Sequence, residues 1–186
     1  MIIHIKNIVC GRCVMLVRSE LQGMGLTVVT VRMGVAEVRE ELTSDQLTAL
    51  RIRLEALGFE LIADKQTRII EQIKCIIINE VHSDENERNR NLSDLICAEI
   101  GMDYRYLSAL FSANEGYTIE KYHILQKVER VKELLDYDEL TLSEIAFRMG
   151  YSSNAHLSNQ FKRVTGMTPT TYKREKAFSR RPIDEL

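Results

Sequence analysis

Proline is scarce in this 186-residue sequence, with 2 residues, and glycine contributes only 9. That scarcity excludes a collagen-like repeat, and an apolar fraction of 45% excludes a chain too polar to bury a core. Long uncharged runs are also missing. No stretch of 15 residues lacks Asp, Glu, Lys and Arg, so no membrane span is expected. The opening MIIHIKNIVCGRC has no basic segment leading into an apolar core and does not read as a secretory signal. The 4 cysteines fall at irregular spacing, which makes no disulfide framework; a cytoplasmic chain with free thiols is the expectation. Gly-rich phosphate loops and serine-elbow motifs are absent. His4, His82, His123 and His156 share no metal-ligand spacing, and the pair Glu40–Glu41 reads as solvated. No constellation points to an enzyme. The length admits one medium domain or two small ones.

The net charge of −2 conceals an asymmetry. Residues 1–63 balance, with 7 basic and 7 acidic side chains, whereas residues 84–140 carry 7 against 13 and residues 141–186 carry 8 against 4. A basic end on an acidic chain suits a local contact with an anion-rich partner, although a solvated tail has the same composition. The polar run SDENERNRN at 83–91 reads only as a solvated loop.

Patterning in the first third alternates between strand and helix. IIHIK reads as a strand. Val14, Val17 and Leu21 then recur at helical spacing and stop at Gly23 and Gly25. LTVVTVRM and AEVREEL flank Gly34 as a hairpin. TSDQLTALRIRLEAL follows as a helix capped by Thr43 or Ser44, with Leu47, Leu50, Leu54 and Leu57 as its buried stripe, and FELIA closes as a strand after Gly58. The order β-α-β-β-α-β over residues 1–63 predicts an α+β ferredoxin-like domain, with both helices on one face of an antiparallel sheet. Cys10 and Cys13 fall in the loop between the first strand and the first helix. The helix N-terminus there should lower the pKa of both thiols. Two thiolates at i and i+3 can converge on one soft ion, and two sulfurs suit Cu(I). A closed zinc site needs four ligands, and no second CxxC is present. A redox pair and two idle cysteines remain as alternatives.

On these residues the first 63 positions resemble the heavy-metal-associated domain of copper chaperones and metal-pumping ATPases. That family usually carries Gly-Met-Thr/His-Cys-x-x-Cys. Here the loop is Asn7-Ile8-Val9-Cys10-Gly11-Arg12-Cys13, so the two cysteines match and the preceding three residues do not. The resemblance implies Cys10 and Cys13 as metal ligands, with Cu(I) or another soft ion as cofactor.

The remaining two thirds repeat internally. Leu107 matches Leu157, Phe111 matches Phe161, Gly116 matches Gly166, Thr118 matches Thr168 and Tyr122 matches Tyr172, all 50 positions apart. Upstream the offset is 49, pairing Ile96 with Ile145, Cys97 with Ala146 and Gly101 with Gly150. One extra residue therefore stands in the turn of the second copy. Each copy reads as a short helix, a Gly turn and a second helix, the anatomy of a helix-turn-helix whose second helix enters a DNA groove. In copy two, Thr141 caps the helix 143–149 and Ser152 or Ser153 caps the next, which buries Leu157 and Phe161. In copy one the helices are 93–100 and 104–114. Cys97 occupies the small-residue position of Ala146 and reads as packing, as does Cys75 in the run CIII. Between the copies, Ile124, Val128, Val131 and Leu135 predict a helix over 118–136, roughly 28 Å long at 1.5 Å per residue. One turn of B-DNA is about 34 Å, so two reading helices could enter successive major grooves.

GYSSNAHLSNQFKRVTGMTPTTYK, within about residues 68–176, resembles the DNA-binding domain of the AraC/XylS family of bacterial transcription regulators. Its tail motif stands here as Phe161, Lys162, Arg163, Gly166, Thr168, Pro169 and Tyr172. The resemblance implies double-stranded DNA as partner, with a homodimer and RNA polymerase as further candidates. Asn154, Ala155, His156 and Asn159 should face base edges: Asn pairs with adenine and the Ala methyl meets the thymine methyl. Lys162, Arg163, Lys173 and Arg174 fall where phosphates would run. In copy one the matching base-facing positions are Arg105, Ser108 and Ala109, flanked by Tyr104 and Tyr106, and Arg105 can read guanine. Ser112 and Ala113 stand where the family commonly has Lys, so copy one should contribute less electrostatic affinity.

The expected organisation is a ferredoxin-like domain over 1–63, a helical linker and first helix of the next domain over 64–82, a two-HTH DNA-binding domain over 83–178, and a tail over 179–186. The expected function is a regulator whose DNA binding responds to a soft metal at Cys10 and Cys13. In a second reading the N-terminal domain dimerises or binds another ligand, with the cysteines redox-active or idle. A third makes the chain a metal-handling protein or thiol oxidoreductase whose helical part binds only protein.

Overall fold

The computed structural model describes residues 1–83 and 91–175. The tail expected at 179–186 and nearly all of the polar run at 83–91 lie outside the described residues. Two compact units form, Met1–Cys75 and Ile76–Leu186.

The first unit runs β1 (Ile2–Lys6), α1 (Gly11–Gly23), β2 (Val28–Arg32), β3 (Val35–Val38), α2 (Ser44–Glu55) and β4 (Glu60–Leu61), then enters α3 (Lys65–His82). The four strands make one antiparallel sheet in the order β2-β3-β1-β4. Alternation in IIHIK turns Ile3 and Ile5 to the same face. There they join Val17 and Leu21 of α1, Leu50 and Leu54 of α2, and Phe59 in one core. Each of these side chains adds about 1.5–3 kcal/mol when fully removed from water.

The hairpin turns through Met33 and Gly34. Gly34 has φ +76°, and a Cβ there would stand 3.2 Å from Cys75 Sγ, so both its conformation and its neighbour call for glycine. Thr43 caps α2: its hydroxyl accepts from Gln46 N–H at 3.3 Å, and Gln46 Oε1 accepts from Thr43 N–H at 2.9 Å. The leucine stripe of α2 is shorter than its spacing predicts. Leu50 and Leu54 are buried, Leu47 is half-buried and Leu57 is exposed. Leu57 lies past the end of α2, where the chain has left the helical face that the pattern extrapolates.

The units divide inside α3, between Cys75 and Ile76, rather than at residue 63. Arg68 lies near enough to His4 to bear on its ionisation, and Cys75 meets Gly34. Such contacts between distant positions leave no mark in composition or in a helix-stop signal. Burial, followed by the negative charge of Glu71, pushes the Cys75 thiol up to about 12. It is therefore a protonated, inert side chain at neutral pH.

The second unit continues with α4 (Leu92–Ile100), α5 (Tyr104–Glu115), α6 (Ile119–Tyr137), α7 (Leu142–Arg148), α8 (Asn154–Thr165) and α9 (Pro169–Glu175). α6 is the hub, with α5, α7, α8 and α9 packed against it. Val128 and Val131 are fully buried and Leu135 is 6% exposed, while Ile124 is half-buried. α6 also buries a charged pair, Lys132 Nζ to Glu129 Oε1 at 2.6 Å. α9 has no counterpart in the sequence reading. Pro169 supplies its first residue, where the missing N–H costs nothing, and Thr168 Oγ1 accepts from Thr171 N–H at 3.1 Å. Among the described residues no helix is long and apolar enough to cross a membrane.

Candidate nucleic-acid interface

The helix pair α7–α8 is built from local signals. Thr141 and Glu144 form a capping box that starts α7. Gly150, at φ +66°, ends it, and Tyr151 N–H reaches back to Ala146 O at 2.8 Å. Ala146 is 3% exposed, so a small side chain fills a tight place between helices. Ser153 caps α8 by accepting from His156 N–H at 3.1 Å. α8 buries Leu157 and Phe161, and Phe161 sits edge-on to Tyr172 of α9 at 5.6 Å.

That burial leaves the opposite face of α8 to solvent. Asn154, Ala155, His156, Asn159, Lys162 and Arg163 are all exposed. They differ in freedom. Asn154 Nδ2 donates to Ser143 Oγ of α7 at 2.8 Å. His156 Nδ1 lies 3.1 Å from Ser152 Oγ, and its ring stands edge-on to Tyr151 at 5.2 Å. Among the described residues Lys162 and Arg163 have no carboxylate partner. Lys173 instead pairs with Asp138, the residue that ends α6, and Arg174 Nη2 lies 3.5 Å from Glu175. Those two cations are exposed but partly committed, a state that their place in the sequence motif does not reveal.

The pair α4–α5 repeats the frame with other chemistry. Asn91 caps α4, and Gly101 at φ +74° ends it with its N–H on Cys97 O at 2.8 Å. Cys97, the counterpart of Ala146, is half-buried. Asp103 caps α5, which buries Leu107 and Phe111, and Phe111 lies 5.8 Å from Tyr122 of α6. Arg105 and Ala109 are exposed, and Ser108 is half-buried. Tyr104 is drawn away from the outer face: its hydroxyl donates to Glu120 Oε1 at 2.6 Å. Tyr106 is 49% exposed, at the register of His156.

Tyr151 is the residue that the motif reading passed over. It lies within the one-residue insertion of the second turn, and it is 7% exposed. Its hydroxyl donates to Gln160 Oε1 at 2.7 Å, and Lys127 of α6 stands 4.3 Å above its ring. The shift of repeat offset from 49 to 50 was the available signal. It marked the position without showing that the extra side chain folds inward.

Two capped helices with apolar inner faces and polar outer faces, both set on α6, define a helix-turn-helix class of domain. Residues 96–175 match the family described as Helix-turn-helix domain. The regulator GlxA of Rhizobium meliloti is 34% identical over 74 residues, which is 40% of this chain and 23% of that one. The C-terminal domain of AraT, a response regulator from Geobacillus stearothermophilus, superposes with a TM-score of 0.52 at 23% identity, covering 64% of this chain and 94% of that one. A transcriptional regulator with an AraC-type DNA-binding domain from Chromobacterium violaceum superposes with a TM-score of 0.50 at 22% identity, covering 61% and 96%. The helical unit therefore has the AraC-type helix-turn-helix fold, and this chain spans less than half the length of the curated relatives it matches.

A second cluster lies in the first unit. Cys10 is the N-cap of α1, and Cys13 stands inside its first turn rather than in the loop. Their sulfurs are 3.4 Å apart and hydrogen-bonded, without a disulfide. The two thiols do not shift together as expected. Burial raises Cys10, but hydrogen bonds from Cys13 and Arg12 and the Arg12 guanidinium outweigh it and hold Cys10 below the ordinary thiol range. Cys13 is raised, first by burial and then by the Cys10 sulfur it faces. Loss of one proton leaves a negative sulfur beside the other thiol, which then holds its own proton more tightly. Cys10 is therefore the easier of the two to deprotonate. Two soft sulfurs this close can converge on a soft ion. Among the described residues no cluster of three or more His, Cys, Asp or Glu adds further ligands.

Proposed function

We propose that this chain is a sequence-specific, DNA-binding transcriptional regulator of the AraC type, with α8 and α5 as unequal reading helices. The observation that carries the reading is the outer face of α8, where Ala155, His156 and Asn159 stand exposed beside Lys162 and Arg163, two cations without carboxylate partners among the described residues. Asn159 and His156 offer donors and acceptors to base edges, Ala155 a methyl contact, and Lys162 and Arg163 a sequence-blind attraction to phosphate. Arg105 and Ala109 do the same work in copy one with less charge. A homodimer and a contact with RNA polymerase belong to the same proposal. Selection of duplexes from a random pool by the full chain tests it. An enriched motif with two half-sites about one helical turn apart is expected, with affinity falling steeply as salt rises. A salt-independent or sequence-blind interaction would sink it.

The first unit is proposed as a ferredoxin-like, heavy-metal-associated type of domain; its strand order supports this. Cys10 and Cys13 would hold a soft ion, Cu(I) before others, because two sulfurs at a helix start make a low-coordinate soft site. A bound ion would supply positive charge that replaces the Cys13 proton. It alters DNA binding only if it favours one state of the protein over another. Operator affinity measured by fluorescence anisotropy with and without Cu(I) tests this. Identical curves for the wild type and Cys10→Ser/Cys13→Ser would remove metal sensing.

A second reading has its own support. Opposite shifts of two sulfurs 3.4 Å apart suit a thiol pair in which Cys10 attacks and Cys13 resolves. The mass of the full chain with and without reductant separates the readings: loss of two hydrogen atoms to a mild added oxidant, restored by reductant, supports the redox pair.

A further inference from the structure

A cleft of about 250 Å³ opens beside the start of β1. Its cause is the shortness of β4, which pairs with Ile5 and Lys6 and adds one bond from Ile62 N–H to His4 O at 2.9 Å. Among the described residues the start of β1 has no strand on that side, and Ile2 stays 60% exposed. The apolar walls include Ile2, Leu47 and Ile62, and the polar lining is Arg51 from α2, Arg68 from α3 and His4 from β1. Among the described residues no Asp or Glu lines the cleft, and neither guanidinium has a carboxylate partner. Arg68 Nη2 donates to Ala63 O at 2.5 Å, while its Nε–H is buried without an acceptor. A half-desolvated cation with an unmet donor costs free energy that a bound anion offsets. Burial, and then the charge of Arg68, hold the His4 imidazole below its ordinary range, so it faces the cleft neutral at physiological pH.

We propose that this cleft binds a small organic carboxylate with a compact apolar body, the carboxylate on Arg51 and Arg68 and the body against Ile2, Leu47 and Ile62. The guanidinium fork matches a carboxylate, and the apolar wall favours an organic acid over a bare inorganic anion. The volume is below the range of about 300–1,000 Å³ usual for drug-sized ligands, which sets the size class. The cleft shares no lining residue with the outer faces of α5 and α8 or with the cysteine pair, so the proposal stands whatever becomes of DNA binding or metal binding.

Titration of the labelled full chain with benzoate and with hexanoate, followed by NMR, tests it. Saturable shifts of the Ile2 and Ile62 methyl groups and of the Arg68 Nε–H are expected. Affinity should fall at least about tenfold for benzamide, which keeps the body and loses the charge, and for inorganic phosphate, which keeps charge and loses the body. Arg68→Gln should lose at least about tenfold, and Arg51→Gln, at an exposed position that folding does not need, should lose several-fold. The proposal is overturned if neither acid saturates at about 20 mM, if benzamide or phosphate binds as tightly as benzoate, or if Arg51→Gln binds as the wild type does.

Discussion

The pairs α4–α5 and α7–α8 share an interior and differ at the surface. Inside, α5 and α8 each bury a Leu and a Phe, end at a left-handed glycine and lead to a helix capped by Thr. Each Phe meets a Tyr of the following helix, Phe111 with Tyr122 at 5.8 Å and Phe161 with Tyr172 at 5.6 Å, and the two pairs lie 50 positions apart. Outside, α8 shows Lys162 and Arg163, while α5 has Ser112 and Ala113 at those registers. The turns differ as well. Copy one closes with Gly101 N–H on Cys97 O, and copy two adds a residue and buries Tyr151. Packing holds the two frames to one solution, whereas the faces free of packing have diverged in charge.

The largest effect should come from breaking what the copies share. Phe161→Ala and Phe111→Ala should each cost about 3–5 kcal/mol, by chemical denaturation, because each empties a fully buried site. A loss below 1 kcal/mol in one copy alone would show that the two interiors are not equivalent. The next effects separate the surfaces. Arg105→Ala should cost roughly 1–3 kcal/mol against the selected operator and relax one base position. Lys162→Ala/Arg163→Ala should weaken binding to all sequences and lower the log–log salt slope by about 2, and Ser112→Lys/Ala113→Arg should raise it by a similar amount. If that graft leaves the slope unchanged, α5 does not lie along phosphates.

Smaller again is the contribution of the inserted turn residue. Tyr151→Phe removes the bond to Gln160 and leaves its oxygen in search of a donor, so about 1 kcal/mol of stability should go. The smallest effect concerns acid. The Tyr104 hydroxyl lowers the Glu120 carboxyl below its ordinary range and is itself pushed up, first by burial and then by that carboxylate. A depressed carboxyl stabilises the fold above its unfolded pKa and loses that contribution as pH falls through its folded one. Unfolding midpoints of wild type and Tyr104→Phe should therefore converge as pH drops from neutral into the acid range. A gap that stays constant would show that this bond is not what ties α5 to α6. Copy two has no counterpart, because Asn154 and Thr170 stand at those registers.

The repeat, the caps and the turn glycines were readable in the sequence because each is a local event. Thr43, Thr141 and Ser153 each stand three residues before the N–H they accept, and Gly101 and Gly150 mark backbone that only glycine adopts without strain. Leu57 was misjudged because a periodic stripe extrapolates past the point where the helix ends. α9 escapes the pattern because its buried residues, Pro169 and Tyr172, make too short a stripe, and no helix-turn-helix frame flags it as one flags the equally short α7. Helix position alone predicts a lowered Cys13 pKa, but burial, joined by its neighbour at 3.4 Å, raises it.

By itself the sequence determined which segments coil, where they stop and which faces are apolar, since hydrogen bonding and side-chain periodicity act within a few residues. Tertiary structure decided which polar and charged groups have partners: Lys173 on Asp138, Asn154 on Ser143, Tyr104 on Glu120, and Lys162 and Arg163 with no carboxylate among the described residues. It also decided that a short fourth strand leaves two arginines around a cleft. Electrostatic and packing partners lie far apart along the chain, so only the folded backbone selects which of them meet.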